Sequence, residues 1–229
     1  MKYFILPLLL TACLPLIAEV AQEQTKRTCR ILYVADSSET ISEAYLFDGT
    51  TSQKLHLPKM NFSEVIELPT GDLKLSLLSE PGNAPGGFPE SAPAVNLTDK
   101  VTDFFLLVTG DPDNTYLPVK LTLIDISNNR LKPGETLWIN YTDNKISAVL
   151  GEDELTILPM KRAISRSSLK KSGYYKAEFT YQREADGDFL PIMRKSWWHD
   201  SSSKNLGFIV QTSARLPKIF TIRDHRNIK

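Results

Sequence analysis

Short runs of β-branched, aromatic and leucine residues recur along this chain, separated by turn-forming residues at intervals of roughly 8–12 positions. Leu73, Leu75 and Leu77 alternate with polar residues, which is the period of a strand with one buried face. The pair Asp48-Gly49 follows another such run and is typical of a hairpin turn. No segment has the periodicity of a convincing amphipathic helix. The sequence therefore predicts an all-β protein.

A polar stretch at residues 127–134, ending in Lys132-Pro133-Gly134, divides the strand pattern into two halves. We predict two Ig-like antiparallel β-sandwich domains of seven strands each, at residues 27–128 and 129–229. One larger continuous sandwich is the alternative. Residues 80–94 contain four prolines and three glycines, so we expect a long loop there, of the kind that is often functional or mobile.

The N-terminus has the features of a secretory signal peptide, which we assign to residues 1–21. Lys2 supplies a positive charge, residues 4–17 are almost wholly apolar, and Ala18 and Ala21 are small residues ahead of a polar run. The apolar run is too short, and too interrupted by proline, to span a membrane. We therefore predict a periplasmic or secreted protein whose mature chain has no transmembrane span. As an alternative, Leu10-Thr11-Ala12-Cys13 matches a lipobox, which would anchor the protein in the envelope through a lipidated Cys13.

The formal net charge is zero, but residues 1–128 carry −7 and residues 129–229 carry +7. Either the halves complement each other, which we favour, or the basic half faces an acidic surface such as a cell-wall polymer. An exported chain of neutral net charge is a poor candidate for binding nucleic acid. Cys29, beside the first predicted strand, is expected to be a small buried residue.

The first half resembles a family of bacterial exported Ig-like domains of unknown function. The resemblance lies in a hydrophobic strand at residues 30–35, the hairpin Tyr45-Leu46-Phe47-Asp48-Gly49 and the turn Leu68-Pro69-Thr70-Gly71. The whole chain is also similar to exported bacterial proteins that carry segments like Leu137-Trp138-Ile139-Asn140 and Trp197-Trp198-His199-Asp200. This resemblance implies a sandwich fold and export, and it implies no activity.

Pilus-assembly chaperones, which are two-domain exported Ig-like proteins, have a strand similar to residues 135–140. Residues 141–158 lack the basic-rich strand that follows it in that family. We therefore keep a pilus-chaperone-like function only as an alternative.

No phosphate-binding loop, zinc helix, paired-cysteine motif or nucleophile elbow occurs in the sequence. The three histidines, His56, His199 and His225, lack the spacing of metal ligands, so we predict neither a metal nor a cofactor. Ser196, His199 and Asp200 suggest a triad, but consecutive residues on a strand point to opposite faces. We therefore predict no catalytic residue and no enzyme.

Trp197-Trp198-His199-Asp200 is the most distinctive segment, and we take these four residues as the candidate binding site. We expect one tryptophan ring to fill the core and the other to cover the junction between the halves. Alternatively, the exposed ring stacks on a sugar or on a partner's side chain, with His199 and Asp200 as polar neighbours.

These observations predict an exported, non-enzymatic β-sandwich protein that is a binding or structural module of the bacterial cell envelope. Its partner would be a protein or polysaccharide of the envelope. The alternatives are a carbohydrate-binding module that uses Trp197 and Trp198, a hydrolase with an unfamiliar site near His199 and Asp200, and the pilus-chaperone-like protein described above.

Overall fold

A computed structural model describes residues 26–34, 41, 43–57, 59–166, 169–184, 187–211 and 215–225. The predicted signal peptide at residues 1–21 and the alternative lipidation site Cys13 lie outside these ranges. In the described part of the chain, no helix has the length and apolar character needed to cross a membrane.

The described residues form sixteen β-strands and one 3-10 turn, Ala84–Gly86. The strands are β1 (Arg27–Val34), β2 (Glu43–Phe47), β3 (Ser52–His56), β4 (Ile66–Leu68), β5 (Leu73–Leu78), β6 (Ala94–Leu97), β7 (Asp103–Gly110), β8 (Val119–Asp125), β9 (Glu135–Tyr141), β10 (Lys145–Leu150), β11 (Asp153–Ile157), β12 (Arg162–Arg166), β13 (Gly173–Gln182), β14 (Leu190–His199), β15 (Lys204–Val210) and β16 (Lys218–Asp224). The all-β prediction is confirmed.

The strands form four sheets of four strands, which we number I to IV. Sheet I has the order β3-β2-β5-β6, and sheet II has the order β4-β1-β7-β8. Sheet III is β12-β9-β15-β16, and sheet IV is β11-β10-β13-β14. Adding eight to each strand number turns the order of sheet I into that of sheet IV, and the order of sheet II into that of sheet III. The two halves of the chain therefore share one topology.

Two details of the predicted sandwiches are wrong. Sheets II and III each contain a parallel pair, β1 with β7 and β9 with β15, so the sandwiches are not purely antiparallel. The described residues of each half also form eight strands and not seven, because the sequence patterns missed β6 and β12. β6 begins at the end of the proline-rich segment, and β12 has a single buried residue, Ser165. Neither has a run of large apolar residues to mark it.

The sheets stack in the order I, II, III, IV, with an apolar layer between each neighbouring pair. The layer between sheets I and II includes Leu46, Leu75 and Phe104, and Cys29 is fully buried in it, as expected. The layer between sheets III and IV includes Trp138 and Phe179. Middle sheets II and III are thus buried on both faces, which explains why residues 104–108 of β7 form a continuous apolar run.

The layer between sheets II and III joins the two halves of the chain. It contains Leu32 and Leu107 from the first half and Ile139 and Phe208 from the second, all nearly inaccessible to solvent. The predicted division between residues 128 and 129 falls in the connection from β8 to β9. Whether each half is an independent domain stays a prediction.

Two ion pairs between described residues cross this junction. Arg30 Nη1 lies 2.6 Å from Asp224 Oδ1, and Lys204 Nζ lies 3.6 Å from Asp103 Oδ2. Only the second pair joins a cation of the basic half to an anion of the acidic half. The charge asymmetry of the sequence therefore does not by itself describe how the halves meet.

The proline-rich loop at residues 80–94 packs on the outer face of sheet I. Phe88 contacts Phe47, with ring centroids 5.1 Å apart, and Ser76 Oγ donates a hydrogen bond to the Pro93 carbonyl at 2.9 Å. Phe47 and Ser76 are consequently inaccessible to solvent although they face away from the apolar layer of sheets I and II. The loop therefore has a structural role as the cover of this sheet.

Candidate functional site

The two adjacent tryptophans lie on β14, an edge strand of sheet IV, and face opposite sides of it. Trp197 packs on the core between sheets III and IV, with its ring centroid 6.0 Å from that of Trp138. Trp198 lies on the outer face, 40% exposed, in edge-to-face contact with Tyr174, which is 71% exposed. The expectation of one ring in the core holds. The expectation that the other covers the junction is wrong, because sheet IV is an outer layer and the halves meet between sheets II and III.

His199 ends β14 and is buried, with 6% of its surface exposed. Its ring lies 6.5 Å from that of Tyr175, and a hydrogen bond links it to the backbone of Leu169. Burial lowers the pKa of His199 against the opposing effects of Asp200 and of that hydrogen bond. Burial likewise raises the pKa of Tyr175 to about 12. Both groups are therefore neutral at pH 7.

Asp200 follows the strand and is engaged in a local turn. Its Oδ1 accepts hydrogen bonds from the backbone N–H and the hydroxyl of Ser202 at 3.0 and 2.7 Å, which lower the pKa of Asp200. Ser196 is exposed on the same face of β14 as Trp198, whereas His199 is buried. The three side chains of the suggested triad do not converge.

A depression of about 280 Å³ adjoins His199 and has a charged rim. Lys132, Glu135, Arg166 and Lys170 line it, and Arg166 Nε lies 3.4 Å from Glu135 Oε1. Across the described residues, no group of three or more histidine, cysteine, aspartate or glutamate side chains is placed to hold a metal ion.

A groove of about 640 Å³ lies between sheets II and III, and we call it the junction groove. Its described lining residues are Val34, Lys59, Met60, Thr109, Gly110, Pro112, Tyr141, Val210, Gln211, Lys218 and Phe220. Parallel pairing brings the carboxyl ends of β1 and β7 to one edge of sheet II, and those of β9 and β15 to one edge of sheet III. These two edges form the groove.

The walls of the junction groove continue the apolar layer that joins the halves. Val34, Tyr141 and Val210 stand on the same strand faces as the buried Leu32, Ile139 and Phe208, two residues further along each strand. The pairing is also equivalent in the two halves. Val34 of β1 pairs with Thr109 of β7, and Tyr141 of β9 pairs with Val210 of β15. The groove therefore lies where equivalent strand ends of the two halves face each other.

The charged side chains among the described lining residues of the groove are both cations. Lys59 and Lys218 are exposed cations, and none of the described lining residues carries a carboxylate. Lys218 Nζ lies 5.7 Å from the centre of the Phe220 ring, which itself stacks on Phe208. Burial raises the pKa of Tyr141, with a smaller opposing effect of Arg162, so the phenol is neutral at pH 7.

Met60 lines the groove and has a strained backbone conformation, with a φ of 57°. Its N–H donates to the Tyr33 carbonyl at 2.9 Å, which ties the segment after β3 to the end of β1. A methionine in this left-handed conformation costs about 1–2 kcal/mol relative to the usual helical or extended conformations.

Sequence reasoning missed the junction groove entirely. Its lining comes from segments that are far apart in the chain, with no motif and no charged cluster in any of them. The continuous apolar character of β7 was the one available signal, since it indicates a strand that is covered on both faces.

Comparisons with known proteins show no family for this chain. No family model matches the sequence, and no curated protein matches it. Among solved structures, the chain is similar to the Bacillus anthracis TIE protein, with 9% sequence identity and a TM-score of 0.24. The match covers 86% of this chain and 34% of that chain. A likeness at this level carries no argument about function.

Proposed function

We propose that this chain is an exported, non-catalytic binding protein of the bacterial cell envelope and that the junction groove is its ligand site. The groove itself supports the proposal most strongly. Its volume of about 640 Å³ lies within the range of about 300–1,000 Å³ that is typical of small-molecule sites. Its lining, mostly apolar with a few polar groups, is also typical of such sites.

Export and location rest on the N-terminal sequence. We propose a periplasmic or secreted protein cleaved after residue 21, with lipid anchoring through Cys13 as the alternative. Mass spectrometry of the mature N-terminus distinguishes the two, because a diacylglyceryl group on Cys13 changes both the mass and the first residue.

The alternatives gain less support from the geometry. The rings of Tyr174 and Trp198 meet at an interplanar angle of 71°, so they do not form the flat surface on which a sugar ring stacks. A hydrolase near His199 and Asp200 would need a nucleophile facing a buried imidazole, and Ser196 lies on the exposed side of the strand. A pilus-chaperone-like role has only the resemblance of residues 135–140 in its favour.

The proposal is tested by filling the groove. Gly110 lines it, has no positive φ, and a Cβ added there would have no neighbour within 4 Å. We expect Gly110→Trp to weaken binding of the neutral dye Nile red at least tenfold, about 1.4 kcal/mol, as measured by fluorescence titration. Gly173→Trp is the matched control, since Gly173 lies at the start of β13 and its Cβ would meet only Leu169 at 3.8 Å.

The native protein and the Gly173→Trp variant should bind one dye saturably, and all three proteins should melt at similar temperatures. Absence of saturable binding by the native protein, or equal binding by the Gly110→Trp variant, would refute the proposed site.

A further inference from the structure

The two cations of the junction groove come from opposite walls. Lys59 lies on the first-half side, where it forms an isolated bridge with Tyr33 at the end of β1. Lys218 begins β16 on the second-half side, where it pairs with Val210. A ligand in the groove therefore lies between two positive charges, while the described lining offers no negative charge.

The apolar and cationic parts of the lining are adjacent. Lys218 Nζ lies over the Phe220 ring, and Phe220 stacks on the fully buried Phe208 at a centroid distance of 5.2 Å. An apolar group that packs on this aromatic wall thus places its polar end within reach of an ammonium group. The Tyr141 hydroxyl, which makes no hydrogen bond with any described residue, adds a neutral donor to the same groove.

We infer that the junction groove selects an amphipathic anion: a molecule with an apolar body and a single carboxylate-type head. This inference rests on the proposed function and specifies its ligand class. The apolar walls remove the body from water, and the two lysines attract the head. A neutral ligand of the same body gains only the first of these contributions, and a cationic ligand is repelled.

The test compares three probes that share a twelve-carbon chain and differ only in the head: dodecanoate, dodecanol and dodecyltrimethylammonium. Each is titrated into the full chain by isothermal calorimetry at low ionic strength. The two ionic probes are kept below their micelle concentrations, and dodecanol is kept below its solubility limit. We expect dodecanoate to bind at least about fivefold more tightly than dodecanol, a ratio in the range that exposed charge pairs supply. Dodecyltrimethylammonium should bind most weakly of the three.

Two double variants assign this preference to the groove. The pair Lys59→Gln with Lys218→Gln should remove the preference for dodecanoate and leave dodecanol binding unchanged. The pair Lys100→Gln with Lys176→Gln makes the same change in net charge at exposed residues away from the groove, and should keep the preference. Added salt should weaken dodecanoate binding and not dodecanol binding, because it screens exposed charges.

The outcomes separate the two proposals. Equal affinity for dodecanoate and dodecanol, or retention of the preference in the Lys59 and Lys218 double variant, would overturn the inferred ligand class while the groove remained a binding site. Failure of all three probes to bind saturably, together with failure of Nile red, would overturn the proposed function as well.

Discussion

Gly207 on β15 shows how a single side chain determines local packing. The Trp138 ring lies directly on this glycine, and a Cβ added there would stand 2.2 Å from Trp138 Cε3. The ring has little freedom to move, since its Nε1–H donates a hydrogen bond to Ser165 Oγ at 2.9 Å and its edge contacts Phe179. The glycine is therefore required by its neighbour and not by its own backbone conformation.

Gly207→Ala should lower the free energy of unfolding by about 3 kcal/mol, because it overpacks a core that has no room for a methyl group. Urea denaturation measures the loss. Gly173→Ala is the matched control, because its Cβ makes only an ordinary contact, and we expect a change of less than about 1 kcal/mol there. Similar denaturation midpoints for the two variants would contradict this account.

Asn140, in the distinctive Leu137-Trp138-Ile139-Asn140 segment, is a second residue whose role follows from its local contacts. Its Nδ2 donates to the carbonyls of Asn144 and Leu158, and its Oδ1 accepts from the N–H and hydroxyl of Thr142. The buried amide thus links two turns at one end of the second half. Asn140 therefore has a structural role in these turns.

At the scale of elements, sequence patterns located most strands but did not indicate the packing role of one loop. Alternation placed β5 and β13 correctly, because side chains on a strand alternate between its two faces. The expectation of one buried face is wrong for β5, whose residues 75–78 are buried on both faces. The loop at residues 80–94 was expected to be of a kind that is often functional or mobile, and in the structure it covers sheet I. Nothing in its own composition reveals that cover, since Phe88 acquires its role only through contact with Phe47 and Lys74.

Phe88→Ala should therefore destabilise the protein by about 1–3 kcal/mol, because it exposes the apolar face that includes Phe47. The denaturation midpoint in urea measures this effect. Phe189→Ala provides the comparison: Phe189 is 41% exposed and is contacted by Lys145, so its loss should cost less. If both variants lost the same stability, the loop would not be a cover.

At the scale of the whole molecule, the halves are joined by an apolar layer with an enclosed ion pair. Arg30 and Asp224 are 16% and 1% exposed at their side chains, and Arg30 also donates to the Ser63 carbonyl at 2.7 Å and lies over the Phe62 ring. Removing one partner of such a pair costs more than the pair contributes, because the remaining charge stays away from water.

Arg30→Met should lower the free energy of unfolding by about 3 kcal/mol, as measured in urea. Lys26→Met is the matched control, since it removes the exposed ion pair with Glu67, whose side chains are 70% and 64% accessible. The control should change stability by less than about 1 kcal/mol. Equal and small effects of the two variants would mean that the junction does not depend on the buried pair.

The sequence by itself determined the class of this protein and most of its strands, because the burial of one strand face and the chemistry of turns are local properties. It also located the connection between the halves. Tertiary structure alone decided the parallel pairing of β1 with β7 and of β9 with β15, the stacking of four sheets, and the outward position of Trp198. It also decided the junction groove, because that cavity forms where strand ends from distant parts of the chain face each other. No single segment has a sequence pattern that indicates this contact.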